Sequence, residues 1–186
     1  MLWATVRAAT LADVAEVARL AARGLGERLQ GSPLLRSRCP RDPSPRLPSA
    51  PEIAVRLLED LETGDALYVA ERQGRVVGFA QISELMVADG GHVVELLRIY
   101  VAPEHRRRGL GGDLVRALLH GFRPPVQPVL RAWAARGSPV ERFFQATGAR
   151  PLRPRWKVVA GEVAIRGTVY AWDRHEPVSC DQRLAR

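Results

Sequence analysis

Between Glu95 and Leu119 the chain reads ELLRIYVAPEHRRRGLGGDLVRALL, and two kinds of chemistry can be read from it. The first is anion binding. Arg106, Arg107 and Arg108 run into Gly109, Leu110, Gly111 and Gly112. Free N–H groups at a helix N-terminus, with the positive end of the helix dipole, make an anion site. Glycines let backbone approach a ligand without a Cβ in the way, and consecutive amides in such a turn form a concave nest. A pyrophosphate suits that arrangement. The second is proton transfer. Period-2 counting puts Glu95 on one face with Leu97, Ile99 and Val101. A carboxylate in that company is costly unless it opens onto a cleft, and partial burial would raise its pKa toward that of a useful general base. The competing reading is an ion pair with Arg98, or exposure at the strand start. Glu84 and Asp89 are second candidates, each also readable as an ordinary loop charge. His92 qualifies by type, but it follows two glycines, as a solvated turn residue does.

These groups need a strand, a turn and a helix to position them. ELLRIYV is apolar and partly β-branched, a strand signal. Pro103 closes it, because proline cannot donate to a continuing ladder. A helix is expected from about Gly109 to Leu119, with Leu110, Leu114 and Leu118 at i, i+4, i+8 and Val115 and Leu119 widening the stripe. Two common phosphate motifs are excluded. No Gly-Lys-Ser/Thr is present for a Walker A loop, and Gly109-Leu110-Gly111-Gly112 lacks the GxGxxG spacing of a dinucleotide fold.

Arg106, Gly109 and Gly111 form Arg-x-x-Gly-x-Gly, preceded by Ile99-Tyr100-Val101-Ala102-Pro103-Glu104-His105. This resembles the signature of the GNAT acyltransferase superfamily, whose members bind acetyl-CoA through this loop. Further stretches are similar to the family: a first strand followed by Thr10-Leu11-Ala12-Asp13, the YVAERQGRVVGFAQI hairpin, and the segment from Gly137 to Ala149. The resemblance covers roughly Leu2 to Trp172. It implies a single mixed α/β domain over residues 1–173, followed by a tail over 174–186. Its sheet would be mixed, mainly antiparallel, with six to seven strands and about four flanking helices. It implies that the backbone of Ile99, Tyr100 and Val101 pairs with the pantetheine arm. Residues Arg106, Arg107, Arg108, Gly109, Leu110, Gly111 and Gly112 would take the phosphates, and Phe143 and Phe144 would pack near the pantetheine or serve only as core of the last helix. It also supports Glu95, which matches a glutamate that serves as base in some members. Three positions depart from the family pattern: Gly137 stands for Asn, Phe144 for Tyr and Ala149 for Phe. The family tyrosine protonates the leaving thiolate in many members, and Phe144 has no proton to give. Water, Tyr100 or Tyr170 are the candidates to replace it.

The rest of the chain sets bounds. With 186 residues and 46% hydrophobic content it suits one globular domain. No apolar run approaches the ~20 residues of a membrane span. Asp13 and Glu16 in the first helix do not suit a secretory signal. Cys39 and Cys180 sit in polar stretches and can be read as bridged or as a reduced pair; the reduced reading is preferred, so a cytoplasmic location is expected. No Cys/His cluster has metal-ligand spacing. Net charge is +8, and Lys157 is the only lysine. The arginines are spread along the chain without an aromatic-studded basic strand, so nucleic acid is not the expected partner. Residues 31–50, rich in Pro, Ser and Arg, read as a long loop. By the resemblance this loop lies beside the acceptor cleft, either as a specificity flap or as a plain insertion.

The expected function is therefore transfer of an acetyl group from acetyl-CoA to an amine, on a small molecule or a protein N-terminus. The rival readings are a non-catalytic acyl-CoA-binding module, favoured by Phe144, and a basic nucleic-acid-binding protein. A homodimer through the terminal strands is the expectation by analogy.

Overall fold

In the computed structural model the described residues are 4–31, 47–86, 92–121, 129–159 and 163–172. They form a seven-stranded sheet in the order β1-β2-β3-β4-β5-β7-β6. The strands are β1 (Thr5–Ala8), β2 (Ala66–Arg72), β3 (Arg75–Met86), β4 (His92–Val101), β5 (Val129–Ala135), β6 (Arg150–Val159) and β7 (Val163–Trp172). The helices are α1 (Val14–Gly31), α2 (Ala50–Glu62), α3 (Leu110–Gly121) and α4 (Pro139–Ala146). All neighbouring strands are antiparallel except β4 and β5, which are parallel and joined through α3. The expected mixed, mainly antiparallel sheet is present, with four helices among the described residues. Asp89, Cys39, Cys180, the residues 174–186 and most of the loop expected at 31–50 lie outside the described residues, as does the side chain of His92.

The helices divide by face. On one side Val14, Val17, Ala18 and Ala21 of α1 pack with Ile53 and Leu57 of α2 onto Leu67, Val69 and Phe79. On the other, Leu110, Leu114, Val115 and Leu118 of α3 join Phe144 of α4 over Val94, Leu96, Leu130, Ala132, Ala134, Tyr170 and Trp172. Both clusters follow from period: one helical stripe meets alternate residues of each strand. Ser49 caps α2, accepting from the Glu52 amide and donating to its carboxylate in a reciprocal box.

A β-bulge breaks the alternation in β4. Gln81 opposes Arg98 and Ile82 opposes Leu96, so Leu97 is the extra residue. Leu96 is buried, while Leu97 is 38% exposed. Val94 and Leu96 before the bulge, and Ile99 and Val101 after it, all pack with the α3–α4 cluster. Glu95 therefore lies on the opposite face, the face of Arg98 and Tyr100. The period-2 count that grouped it with Leu97, Ile99 and Val101 fails at the bulge.

The start of the chain is held by charge. Arg7 of β1 makes two bonds to Asp13, at 2.8 and 2.9 Å, and two to Glu71 of β2, at 2.9 and 2.8 Å. The Thr10 amide and hydroxyl also donate to Asp13, at 2.7 and 2.9 Å. The expected helix start at Thr10 is a short 3-10 turn, Leu11–Asp13, leading into α1. The Arg7 guanidinium first, then the Thr10 donors, hold the Asp13 carboxyl well below the usual carboxylate range, against the effect of burial. A depressed folded-state pKa contributes stability above the ordinary value, and that stability is lost as pH falls through the folded one. Asp13→Asn is expected to destabilise the fold by ~2 kcal/mol at neutral pH. In urea titrations the gap to the parent closes as the solution is acidified below the ordinary carboxylate range; a gap independent of pH would refute the assignment.

Candidate functional site

Strands β4 and β5 pair only from Val93/Val129 to Leu96/Ala132. Beyond that, β4 runs on to Val101 and β5 to Ala135 without pairing to each other. The sheet thus opens into a wedge at the carboxyl ends of two adjacent parallel strands, where open α/β sheets place their ligand crevices.

Register tells which backbone groups line it. The Ala102 amide donates to the Val77 carbonyl at 2.9 Å, and Gly78 opposes Val101 while Ala80 opposes Ile99. Antiparallel pairs alternate between bonded and non-bonded. Ile99 and Val101 therefore turn their N–H and C=O toward the wedge, and Arg98 and Tyr100 turn theirs toward β3. An extended ligand chain can add to Ile99 and Val101 as a strand would. The expected backbone contact of Tyr100 is corrected: its amide and carbonyl face β3, opposite Phe79.

The loop after β4 has the geometry of an anion nest. Pro103–His105 is a single 3-10 turn. Arg107 and Gly109 have φ of +59° and +83°, with Arg108 between them at negative φ, and this alternation turns successive amides inward. The amides of Arg107, Arg108 and Gly109 donate to no backbone carbonyl among the described residues. The Gly109 carbonyl accepts from Asp113 at 3.0 Å, which starts α3 there. Leu110, Gly111 and Gly112 follow as the first turn, whose N–H groups have no partner four residues back. Arg107 and Arg108 are exposed and make no ion pair among the described residues.

Arg106 does something different. Its Nε donates to the Val101 carbonyl at 2.7 Å, and a terminal nitrogen donates to Glu27 of α1 at 2.6 Å. Its guanidinium lies 5.2 Å from the centre of the Tyr100 ring. The Tyr100 hydroxyl donates to the other Glu27 oxygen at 2.7 Å. Arg23, one turn earlier on α1, grips Glu104 of the loop with two bonds of 3.1 Å. Gly24 makes room for this, since a Cβ there would stand 2.7 Å from the Tyr100 ring. Burial pushes the Glu27 carboxyl up, but Arg106, Tyr100 and Arg23 outweigh it and hold it below its ordinary value. Burial, then the bond to Glu27, pushes Tyr100 up to about 12. Arg106 thus works as a tether between β4, the loop and α1. Glu27 and Arg23 were missed from sequence; their four-residue spacing is the only local signal they give.

Across the wedge, the ring of Phe143 covers the first turn of α3. A Cβ on Gly111 would lie 2.8 Å from it. Phe144 is a core residue, 2% exposed, with its ring edge-on to Trp172 and Tyr170 at 5.0 and 6.0 Å between centres. Phe144 thus packs as core of α4, and Phe143 is the aromatic beside the loop. Tyr170, also buried, donates to Glu141 at 2.8 Å. Tyr100 points to α1, so neither tyrosine has a free hydroxyl proton at the wedge.

Glu95 opposes Arg131 one position before pairing ends. It is half-buried, on the face away from α3, with no hydrogen bond or ion pair among the described residues. Arg98, its expected structural partner, instead reaches Asp60 of α2 at 3.9 Å. Glu84 is exposed. A carboxylate on one side of the sheet thus meets an anion nest and a backbone-lined wedge opening from the other.

The acetyltransferase (GNAT) family model matches residues 34–126. The chain belongs to that family of acetyltransferases. Solved structures share the fold. A ribosomal-protein-alanine N-acetyltransferase from Brucella melitensis superposes with a TM-score of 0.67 at 20% identity, over 90% of this chain and 98% of that one. The Salmonella typhimurium protein yncA, solved with its cofactor acetyl-CoA, gives 0.63 at 19% identity, over 96% and 98%. An acetyltransferase from Thermus thermophilus gives 0.63 at 19% identity, over 92% and 100%. No curated protein matches the sequence. Among the described residues no helix is long and apolar enough to cross a membrane.

Proposed function

We propose that this protein is an N-acetyltransferase that moves an acetyl group from acetyl-CoA to a primary amine. The observation that carries this is the wedge between β4 and β5 with an anion nest at its mouth. The amides from Arg107 to Gly112 would hold the pyrophosphate, with Arg107 and Arg108 adding charge. Ile99 and Val101 would pair with the pantetheine arm, and Phe143 would pack against it. Acetyl-CoA supplies an acetyl group already activated as a thioester. The chain's own residues align the two reactants and polarise the thioester carbonyl with a wedge-facing amide of β4. Glu95, directly or through water, takes the proton that the attacking nitrogen loses. The departing thiolate takes its proton from water, since Phe144 has none and Tyr170 donates to Glu141.

Phe144 also favours a second reading, a module that binds acyl-CoA without turning it over. One pair of measurements tests both. Calorimetric titration with acetyl-CoA is expected to show micromolar-range binding, and a panel of primary amines is expected to release free thiol. Binding without turnover on any amine supports the second reading, and no heat with acetyl-CoA or CoA refutes both.

A further inference from the structure

The sheet face that carries Glu95 also carries a row of cations. Register across β5, β7 and β6 puts Trp133, Val169 and Arg153 side by side, then Ala135, Gly167 and Arg155, with Lys157 beside Ile165 one step further. Arg131 stands in the same file as Trp133, next to Glu95. Arg153, Arg155 and Lys157 are exposed, and none of the three makes an ion pair among the described residues. The Nε of Arg131 is buried and has no hydrogen-bond partner among the described residues. Among the described residues of β4 to β7, Glu95 is the only carboxylate on that face.

We propose that the acceptor is a polypeptide whose N-terminal amine meets Glu95 and whose acidic side chains, from about the third residue on, lie along Arg153, Arg155 and Lys157. This rests on the acetyltransferase reading above. The dimensions agree with an extended chain. Three strand spacings, about 14 Å, separate Glu95 on β4 from β6, a span of about four extended residues that the reach of the Arg153 side chain and the peptide's own acidic side chain shortens. Alternate residues on β6 stand about 7 Å apart, the interval between same-side residues of an extended peptide.

Two other occupants fit less well. Nucleic acid without sequence preference uses open aromatic faces for stacking. Trp133 is the only aromatic in the file among the described residues, and both its faces have neighbours. It lies across Gly167, gives its indole N–H to the Arg155 carbonyl at 3.0 Å, and has the Lys157 ammonium 5.9 Å above its ring. A second copy of this chain would set like charges against each other along β6.

The test uses the full-length protein and three peptides that begin Ala-Ala-Glu-Asp-Glu, Ala-Ala-Gln-Asn-Gln and Ala-Ala-Lys-Arg-Lys. The acidic peptide is expected to have the highest kcat/KM, with the preference shrinking as salt rises. The double variant Arg155→Glu, Lys157→Glu is expected to lose about tenfold in kcat/KM for the acidic peptide. Its affinity for acetyl-CoA, measured by calorimetry, shows that the nest is intact. Equal use of the neutral or basic peptide overturns the proposal. So does stronger inhibition by a single-stranded oligonucleotide than by the acidic peptide, or turnover of small amines with no peptide acetylated. Failure of acetyl-CoA to bind the parent would instead remove the acetyltransferase reading beneath it.

Discussion

Glu95→Gln is expected to lower kcat by about two to four orders of magnitude, the span that a positioned general base supplies. Glutamine keeps the shape and the neighbours of Glu95 but cannot take a proton at neutral pH. Glu95 lies outside the anion nest and on the opposite face from α3, so the affinity for acetyl-CoA should stay within about twofold, a difference too small to signal a lost hydrogen bond. The expected signature is thus a fall in kcat with an unchanged cofactor dissociation constant. Steady-state kinetics with the best amine of the panel, beside calorimetry, reads both. A variant that retains more than a third of the parent kcat would assign proton removal to water alone, and Glu95 would then be a structural neighbour of Arg131.

Gly109→Val should have the complementary effect. Gly109 sits at φ +83° and provides the carbonyl that starts α3. A β-branched residue there is strained by ~1–2 kcal/mol or more, and the loop relieves the strain by turning the amides of Arg107 to Gly111 out of the nest. Each lost bond to a charged phosphate is worth ~1.5–3 kcal/mol. Losing two should weaken acetyl-CoA binding by roughly a hundredfold or more. The space around Gly109 is open, with only an Asp113 oxygen 4.0 Å from where a Cβ would stand, so the core under α3 is left alone. Circular dichroism should show an unchanged fold while calorimetry shows the loss. Affinity within about threefold of the parent, less than one hydrogen bond, would mean that the nest does not hold the pyrophosphate.

What could be read from the sequence was set by range. The strand before Pro103, the basic glycine loop and the stripe of α3 are contiguous, and each follows from a local rule about proline, glycine or period. They stand where expected, with α3 at Leu110–Gly121. What escaped depends on partners far along the chain. The partner of Arg106 and Tyr100 is Glu27, 79 and 73 positions away, so nothing local shows that Arg106 is a tether. The face of Glu95 was misread because one extra residue in β4, Leu97, reverses the count, and a bulge is fixed by pairing with β3 and not by composition. Phe144 has two readings from sequence, beside the pantetheine or in the core of the last helix, and only the distant partners Tyr170 and Trp172 show that its ring packs in the core. The cations of β6 looked scattered because their common face appears only once β6, β7 and β5 are in register.

The wedge has a consequence for the stability of the empty protein. β1 and β6 end the sheet, and the gap beside Ile99 and Val101 is a third, internal edge with backbone groups turned outward. Exposed strand edges are templates for pairing with other chains. Arg106 blunts this one by taking the Val101 carbonyl, but the wedge-facing groups of Ile99 pair with no strand among the described residues. A ligand that fills the gap closes the edge and, because it binds only the folded state, adds about 2.7 kcal/mol of stability at a hundred times its dissociation constant. In the proposed binding mode the donor of the acetyl group would also be the strand that completes the sheet, and self-association, read by light scattering, is expected to fall when acetyl-CoA is added.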